Sequence, residues 1–243
     1  MNFKTRSIEP EIMDNLNLDR AALKQVFVDI NRVNRILNGY SITLKAVEKI
    51  LDENPQDGYT IMDLGSGDGG MLKQLALYFK ERPVNLNLIG VDLNENTIKL
   101  AKENCRAFPN ISFLQQDILT MDTLNPRCDI LLSTLTMHHF GKGEIPIFLN
   151  QVVRLPRIGL VINDLQRSRI SYWLFKFFST IFIKTDIAKY DGGISIKRAF
   201  VKSELQEYSM DFPHMVHQIK WKWAFRYLWT MELKKNVIPY EQN

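Results

Sequence analysis

Apolar positions along the chain change their period near residue 58. Before it, Leu23, Val26, Phe27, Ile30, Val33 and Leu37, then Leu44, Val47, Ile50 and Leu51, recur at steps of three and four, the spacing of an amphipathic helix. Asn38-Gly39 punctuates this stretch, so residues 11–53 read as two helices that end at the turn Asn54-Pro55-Gln56-Asp57-Gly58. Beyond it, short apolar runs at Tyr59–Leu64, Asn87–Val91, Ile111–Gln115, Ile130–Ser133 and Leu160–Asn163 read as strands. Periodic segments at Met71–Lys80, Asn96–Asn104 and Ile145–Val153 separate them. Strand and helix in alternation predict an α/β fold, a parallel sheet with helices on both faces. Residues 165–200 break the pattern and read as an insertion. Val216–Trp221 and Phe225–Met231 read as an antiparallel hairpin. The expected organisation is an N-terminal helical cap, 1–57, and a main unit, 58–243, with the insertion at about 165–200 and the hairpin at about 214–232.

Ligands of such sheets bind at the carboxyl ends of the strands. The first strand runs there into Asp63-Leu64-Gly65-Ser66-Gly67-Asp68-Gly69-Gly70. Gly65, Gly67 and Gly70 satisfy the dinucleotide fingerprint; Asp63, Gly65, Gly67 and Gly69 equally satisfy an acidic-x-G-x-G-x-G loop. The acids favour the second. A pyrophosphate wants bare N–H groups at a helix start, and carboxylates Asp63 and Asp68 would repel it, whereas S-adenosylmethionine brings an ammonium and a sulfonium. The second strand ends in Asp92-Leu93, placed for the hydroxyls of a ribose, and the third in Asp117-Ile118, placed for an adenine amine and ring face. Asp92 as a turn residue and Asp117 as a helix cap are the plain alternatives.

This ordered set resembles the class I S-adenosylmethionine-dependent methyltransferases, in their small-molecule branch with the ubiquinone and menaquinone biosynthesis enzymes, over residues 58–165 or so. The resemblance implies a Rossmann-like, seven-stranded, mostly parallel sheet whose last two strands are the hairpin, with S-adenosyl-L-methionine as cofactor. By the same token Asp63, Gly65, Ser66 and Gly67 hold the methionine portion, Asp92 and Leu93 the ribose, Asp117 and Ile118 the adenine, and Thr134 borders the cofactor. Glu11-Ile12-Met13-Asp14, Asn31-Arg32-Val33-Asn34-Arg35, Asn163–Ser168 and the run from Asp191 to Phe200 are similar to a bacterial subgroup associated with polyketide-type pathways. In one departure, Arg154-Leu155-Pro156-Arg157-Ile158-Gly159 replaces the usual double glycine before the fifth strand.

Methyl transfer to a phenol, whose free pKa is about 10, calls for a base poised near neutrality. The fourth strand runs into Thr136-Met137-His138-His139-Phe140, which offers two histidines at the cofactor edge, of which His139 is the preferred base. Asp164, after the fifth strand, is the third catalytic candidate, as a partner of a histidine or of the acceptor. Asn34, Asn163, Arg167, Tyr172 and Trp173 are expected to bind the acceptor. Ile170–Ile183 carries six aromatic rings around Lys176; at 14 residues it is short of the ~20 needed to span a membrane. It reads as a lid helix over an apolar pocket, with a peripheral membrane contact as the alternative. His214 and His217 lie away from this edge and read as structural.

The 243 residues carry a net charge of only +4, unevenly spread: 16 basic against 19 acidic side chains in 1–153, and 15 against 8 in 154–243. No aromatic-interleaved basic run marks a nucleic-acid module. Cys105 and Cys128 have no metal-ligand spacing, so no metal is expected, and free thiols suit a reducing, cytoplasmic setting. The N-terminus shows no signal-peptide pattern. The expected partner is a small aromatic acceptor, with O- and C-methylation both open and the oligomeric state left open. An NAD-dependent oxidoreductase and a non-catalytic adenosyl-cofactor binder are the competing readings.

Overall fold

The computed structural model of the chain describes residues 2–121 and 127–234, so the end of the C-terminal unit, 235–243, lies outside the described residues. Seven strands form one sheet: β1 (Gly58–Leu64), β2 (Asn85–Asp92), β3 (Ile111–Gln115), β4 (Cys128–Thr134), β5 (Pro156–Leu165), β6 (Met215–Lys222) and β7 (Arg226–Leu233). Their order is β3-β2-β1-β4-β5-β7-β6; β1 to β5 pair in parallel, and β7 runs antiparallel between β5 and β6. The order reverses beside β1, and a crevice opens there at the strands' carboxyl ends. The Rossmann-like sheet implied above is therefore the observed one.

The helices are α1 (Arg20–Ile36), α2 (Gly39–Glu53), α3 (Gly70–Tyr78), α4 (Glu95–Asn104), α5 (Glu144–Val152), α6 (Arg169–Phe182), α7 (Asp186–Arg198) and α8 (Lys202–Ser209). Asn38 takes a left-handed conformation (φ 56°) between α1 and α2, the break that the Asn-Gly pair predicts. Val47, Ile50 and Leu51 of α2 join Leu72 and Leu75 of α3 and Ile98 of α4 in the core on one sheet face. Phe148 and Leu149 of α5 and Leu205 of α8 build the core on the other. Helix α2 is thus packed into the main core, whereas Leu23 and Phe27 of α1 gather with Leu100 of α4 in a separate small cluster.

The insertion holds two helices where the sequence predicts one lid. Helix α7 escapes pattern reading because Gly192-Gly193 interrupts it and its apolar positions share no single face. Val26, Ile30 and Val33 of α1 pack with Ile183, Ile187 and Ala188 in a small core above the sheet edge. Buried Asp29 pins this layer: its Oδ2 accepts the N–H groups of Lys184 (3.0 Å) and Thr185 (2.8 Å) at the α6–α7 turn. Where the double glycine is replaced, β5 still forms; its register against β4 shifts between Cys128 and Ile130, and Arg157 pairs with Asp129 (2.6 Å). Cys105 and Cys128 are free and buried. His217 is a structural residue, bonded to Trp229 Nε1 (3.2 Å) and the Phe212 carbonyl (2.9 Å).

Candidate active site

The glycine loop leaves β1 against the end of β2. The N–H groups of Gly65 and Ser66 donate to the Val91 carbonyl (2.8 and 3.0 Å), and that of Gly67 to Asp92 Oδ2 (3.0 Å). Gly65 has φ +68°, and a Cβ there would lie 2.4 Å from Thr136, whose hydroxyl donates to the Leu64 carbonyl (3.1 Å). Any side chain at 65 would collide with this support and resist the left-handed backbone. Leu135, also left-handed (φ 56°), turns the chain after β4 to bring Thr136 there.

Asp63, Gly65, Ser66, Gly67, Asp92, Leu93, Asp117, Ile118 and Thr134 all line one cavity of about 890 Å³ above the sheet edge. Asp63 is buried, and its Oδ1 has no hydrogen-bond partner among the described residues; the same holds for Ser66 Oγ. Burial, with the charge of Asp92 nearby, pushes the Asp63 carboxyl up to about 8. A desolvated, unpartnered carboxylate is a place for a cation, and the ammonium of S-adenosylmethionine fits that chemistry. Asp68, by contrast, is already engaged: Oδ2 accepts from Asn31 (2.8 Å) and Oδ1 from the Gly70 N–H (3.2 Å). It ties helix α1 to the loop while still lining the cavity.

The histidines meet residues from the far N-terminus. His138 is 2% exposed; its Nδ1 donates to Asp164 Oδ1 (2.7 Å), and its Nε2 lies 3.5 Å from Glu11 Oε1. Burial works against charge on His138, but Asp164 and then Glu11 outweigh it and push the imidazole up to about 9. His138 is thus enclosed between two carboxylates, Asp164 at Nδ1 and Glu11 facing Nε2. His139 sits half-buried, its Nδ1 donating to Asp14 Oδ1 (2.7 Å), with Nε2 3.9 Å from Glu11 Oε2. Burial raises the Glu11 carboxyl, yet His139 and His138 outweigh it and hold it below the usual range. Asp191 accepts the N–H groups of Ile12 (2.7 Å) and Met13 (3.0 Å) and so fixes the short turn that carries Glu11 and Asp14. Glu11 and Asp14 were not among the expected site residues; the likeness of Glu11-Ile12-Met13-Asp14 to the bacterial subgroup was their signal in the sequence.

The rest of the cavity is largely apolar, walled by Phe27 and Ile30 of α1 and by Leu174, Phe175, Phe178 and Phe182 of α6. At this end buried Arg226 donates to Asn34 Oδ1 (2.7 Å), and its Nη1 has no partner among the described residues. Burial brings its guanidinium down to about 10. Four expected acceptor-binding residues are elsewhere. Asn163 is buried below the cavity, donating to the Gly39 carbonyl (3.2 Å) and Thr43 (3.0 Å). Tyr172 packs edge-on against Phe3, and Trp173 is 65% exposed on the outer face of α6. Arg167 is buried, bonded to Glu204 (2.7 Å) and to the carbonyls of Ala199 (2.6 Å) and Phe3 (3.0 Å). The helix period explains the first error on α6, since an all-apolar stretch does not declare which side faces in. Arg167→Ala is expected to cost about 3–5 kcal/mol of stability by stranding buried partners; a thermal melt should fall sharply, while cofactor affinity in the folded fraction stays put.

Residues 55–179, just over half the chain, match a family model described as a methyltransferase domain. The chain belongs to the class I S-adenosylmethionine-dependent methyltransferases. Membership decides between the two cofactors that the glycine loop allows: that of this methyltransferase is S-adenosyl-L-methionine. Over 98 residues the methyltransferase is 38% identical to carboxy-S-adenosyl-L-methionine synthase of Nautilia profundicola, covering 40% of this chain and 39% of that protein. Over 129 residues it is 36% identical to release factor glutamine methyltransferase of Haemophilus influenzae, covering 49% and 40%. The chain thus spans about two-fifths of the length of the curated relatives it matches. In fold, the methyltransferase is similar to the plantazolicin methyltransferase BpumL in complex with SAH, with TM-score 0.65, 15% identity and coverage of 91% and 98%. It is also similar to the magnesium protoporphyrin IX methyltransferase of Synechocystis PCC 6803, with TM-score 0.58, 14% identity and coverage of 86% and 88%.

Proposed function

We propose that this methyltransferase methylates an oxygen or carbon of a small, largely apolar acceptor of the phenol or quinol kind. The observation that carries this reading is the lining of one cavity. It brings together Asp63, Asp92 and Asp117 at strand ends, aromatic side chains of α1 and α6, and Glu11, Asp14, His138 and His139. On this reading Asp63 receives the cofactor's ammonium, Asp92 and Leu93 its ribose, and Asp117 and Ile118 its adenine. When bound, the cofactor supplies a methyl group activated by its sulfonium. The protein's own contribution is to align the acceptor and exclude water. The apolar wall of α1 and α6 holds the ring; Asn34 and the free Arg226 N–H suit an oxygen at its far edge. The polar cluster receives the reacting hydroxyl and draws on its proton, with His139 facing it and Asp14 fixing the His139 tautomer.

Helix α6 also turns Ile170, Trp173 and Phe177 outward, 65, 65 and 70% exposed. Among the described residues no helix is long and apolar enough to cross a membrane. A peripheral contact through this face, by which a lipophilic acceptor reaches the cavity, belongs to the same proposal. The test is a panel of phenols and quinols, free and in lipid vesicles, incubated with the protein and S-adenosylmethionine and read by mass spectrometry. The expected result is the gain of one methyl on an apolar aromatic member. Methylation of peptides or RNA with none of the panel modified overturns the reading.

A further inference from the structure

We propose that Glu11, His138 and His139 bind one divalent transition-metal cation of the zinc or cobalt kind. The inference deepens the functional reading above, because such a cation would stand where the acceptor's hydroxyl is received.

The argument is geometric. Each imidazole has its Nδ1 committed to a carboxylate, His138 to Asp164 and His139 to Asp14, both at 2.7 Å. This is the outer-shell arrangement that fixes the tautomer of a metal-binding histidine and leaves Nε2 as the ligand. Both Nε2 atoms then converge on the two oxygens of one carboxylate, at 3.5 Å from Glu11 Oε1 and 3.9 Å from Oε2. The three ligand atoms lie within 4.8 Å of one another. A direct imidazolium–carboxylate hydrogen bond closes to about 2.7–2.9 Å. Two ligands of a tetrahedral zinc, each about 2.0–2.1 Å from the metal, stand roughly 3.4 Å apart. The 3.5 Å separation is too wide for the first and close to the second, and the 3.9 Å separation would close by about half an ångström on a bound ion.

Glu11 supplies an independent sign. It is 4% exposed, and Oε1 has no hydrogen-bond partner among the described residues. Charge points the same way. The carboxylates of Glu11, Asp14, Asp164 and Asp191 gather here, answered by the guanidiniums of Arg6 and Arg198, which both donate to the backbone carbonyl of His138. A bound cation would take the place of the His138 Nε2 proton, and with both imidazoles then neutral these four carboxylates outnumber the two guanidiniums. Two imidazoles and one carboxylate favour zinc, cobalt or iron over magnesium or calcium, which prefer all-oxygen shells. A catalytic site keeps a position open, and three protein ligands on a tetrahedral ion leave one for an acceptor's oxygen, whose proton the ion renders more acidic. No local spacing announces this cluster, because Glu11 stands 127 residues before His138.

The full chain, freed of metal with a strong chelator and dialysed, is titrated with Zn²⁺, Co²⁺ and Mg²⁺. One equivalent of Zn²⁺ or Co²⁺ is expected, with a visible Co²⁺ absorption band, a raised melting temperature and no comparable response to Mg²⁺. The near-isosteric Glu11→Gln and, separately, His139→Ala should weaken binding at least 100-fold, and Asp164→Asn about 10–100-fold as an outer-shell change. Calorimetry with S-adenosylhomocysteine checks that each variant is folded. Substoichiometric metal, a preference for Mg²⁺, or unchanged Zn²⁺ affinity in a folded Glu11→Gln protein overturns the site. Full-rate methylation by the metal-free protein overturns its role in holding the acceptor. These readouts need no acceptor for the binding arm, so a blank panel counts against the proposed function alone.

Discussion

Asp63→Asn is expected to abolish useful cofactor affinity while making the ligand-free protein more stable. The wild-type carboxyl is raised from 3.8 to about 8 by burial and by Asp92. The folded state therefore holds that proton more tightly than the unfolded chain, and stability falls as pH rises from about 4 to 8 before levelling off. The amide never charges, so the variant's advantage grows over that window and reaches on the order of 3–5 kcal/mol at pH 8. Its counterpart is binding. An ammonium set against the ionised carboxylate supplies the missing partner, and deleting one member of such a buried pair costs about 3–5 kcal/mol, roughly 100- to 1,000-fold or more in affinity. In the wild type, binding below pH 8 must expel the proton, so affinity should drop about tenfold per unit of pH. Calorimetry in buffers of different ionisation enthalpy reads the released proton directly, and thermal melts at pH 5 and pH 8 read the stability. Equal melts for variant and wild type at pH 8, or retained affinity, would sink this account of Asp63.

His139→Ala is expected to lower kcat by about 100- to 10,000-fold, the range for removing a positioned proton-transfer group, with cofactor affinity unchanged. Nε2 of His139 is the atom that stands toward Glu11 and the cavity, and the alanine deletes it whether it works alone or through a bound cation. Asp14→Asn should produce a smaller loss of the same kind, since the imidazole remains but its tautomer is no longer enforced. His138→Ala should behave differently. It strands Asp164 and Glu11, both buried, and its first effect is on the melting temperature. A His139→Ala protein that turns over normally with the cognate acceptor places the chemistry elsewhere.

Much of the scaffold is written in local pattern. All five parallel strands and the terminal hairpin lie within a few residues of their apolar runs, and Asn38 breaks the N-terminal helices where its neighbour Gly39 announces it. The glycine loop declares itself because a close turn tolerates few residue types. The acids after β1, β2 and β3 fall in one cavity because the parallel register sets those strand ends side by side. Other inferences failed for want of orientation. Arg167 and Asn163 have the chemistry of ligand-binding residues, and burial turns that chemistry to holding the fold together. On α6, Tyr172 and Trp173 were as plausible as Phe175 and Phe178 until the packing of α1 and α7 fixed the inward side. Helix α8, only eight residues long, left no periodic trace.

The sequence by itself determined the layered α/β scaffold, the glycine turn and the acidic strand ends, because periodicity, turn chemistry and strand register act over a few residues. Only the tertiary structure decided which histidine is enclosed and which is part-exposed, that Asp68 braces α1, and that Glu11 and Asp14 meet His138 and His139. The pairings of Glu11 and Asp14 with the histidines span more than a hundred residues. They exist because the first turn of the chain is tied to α7 through Asp191, and no local property of either segment encodes that closure.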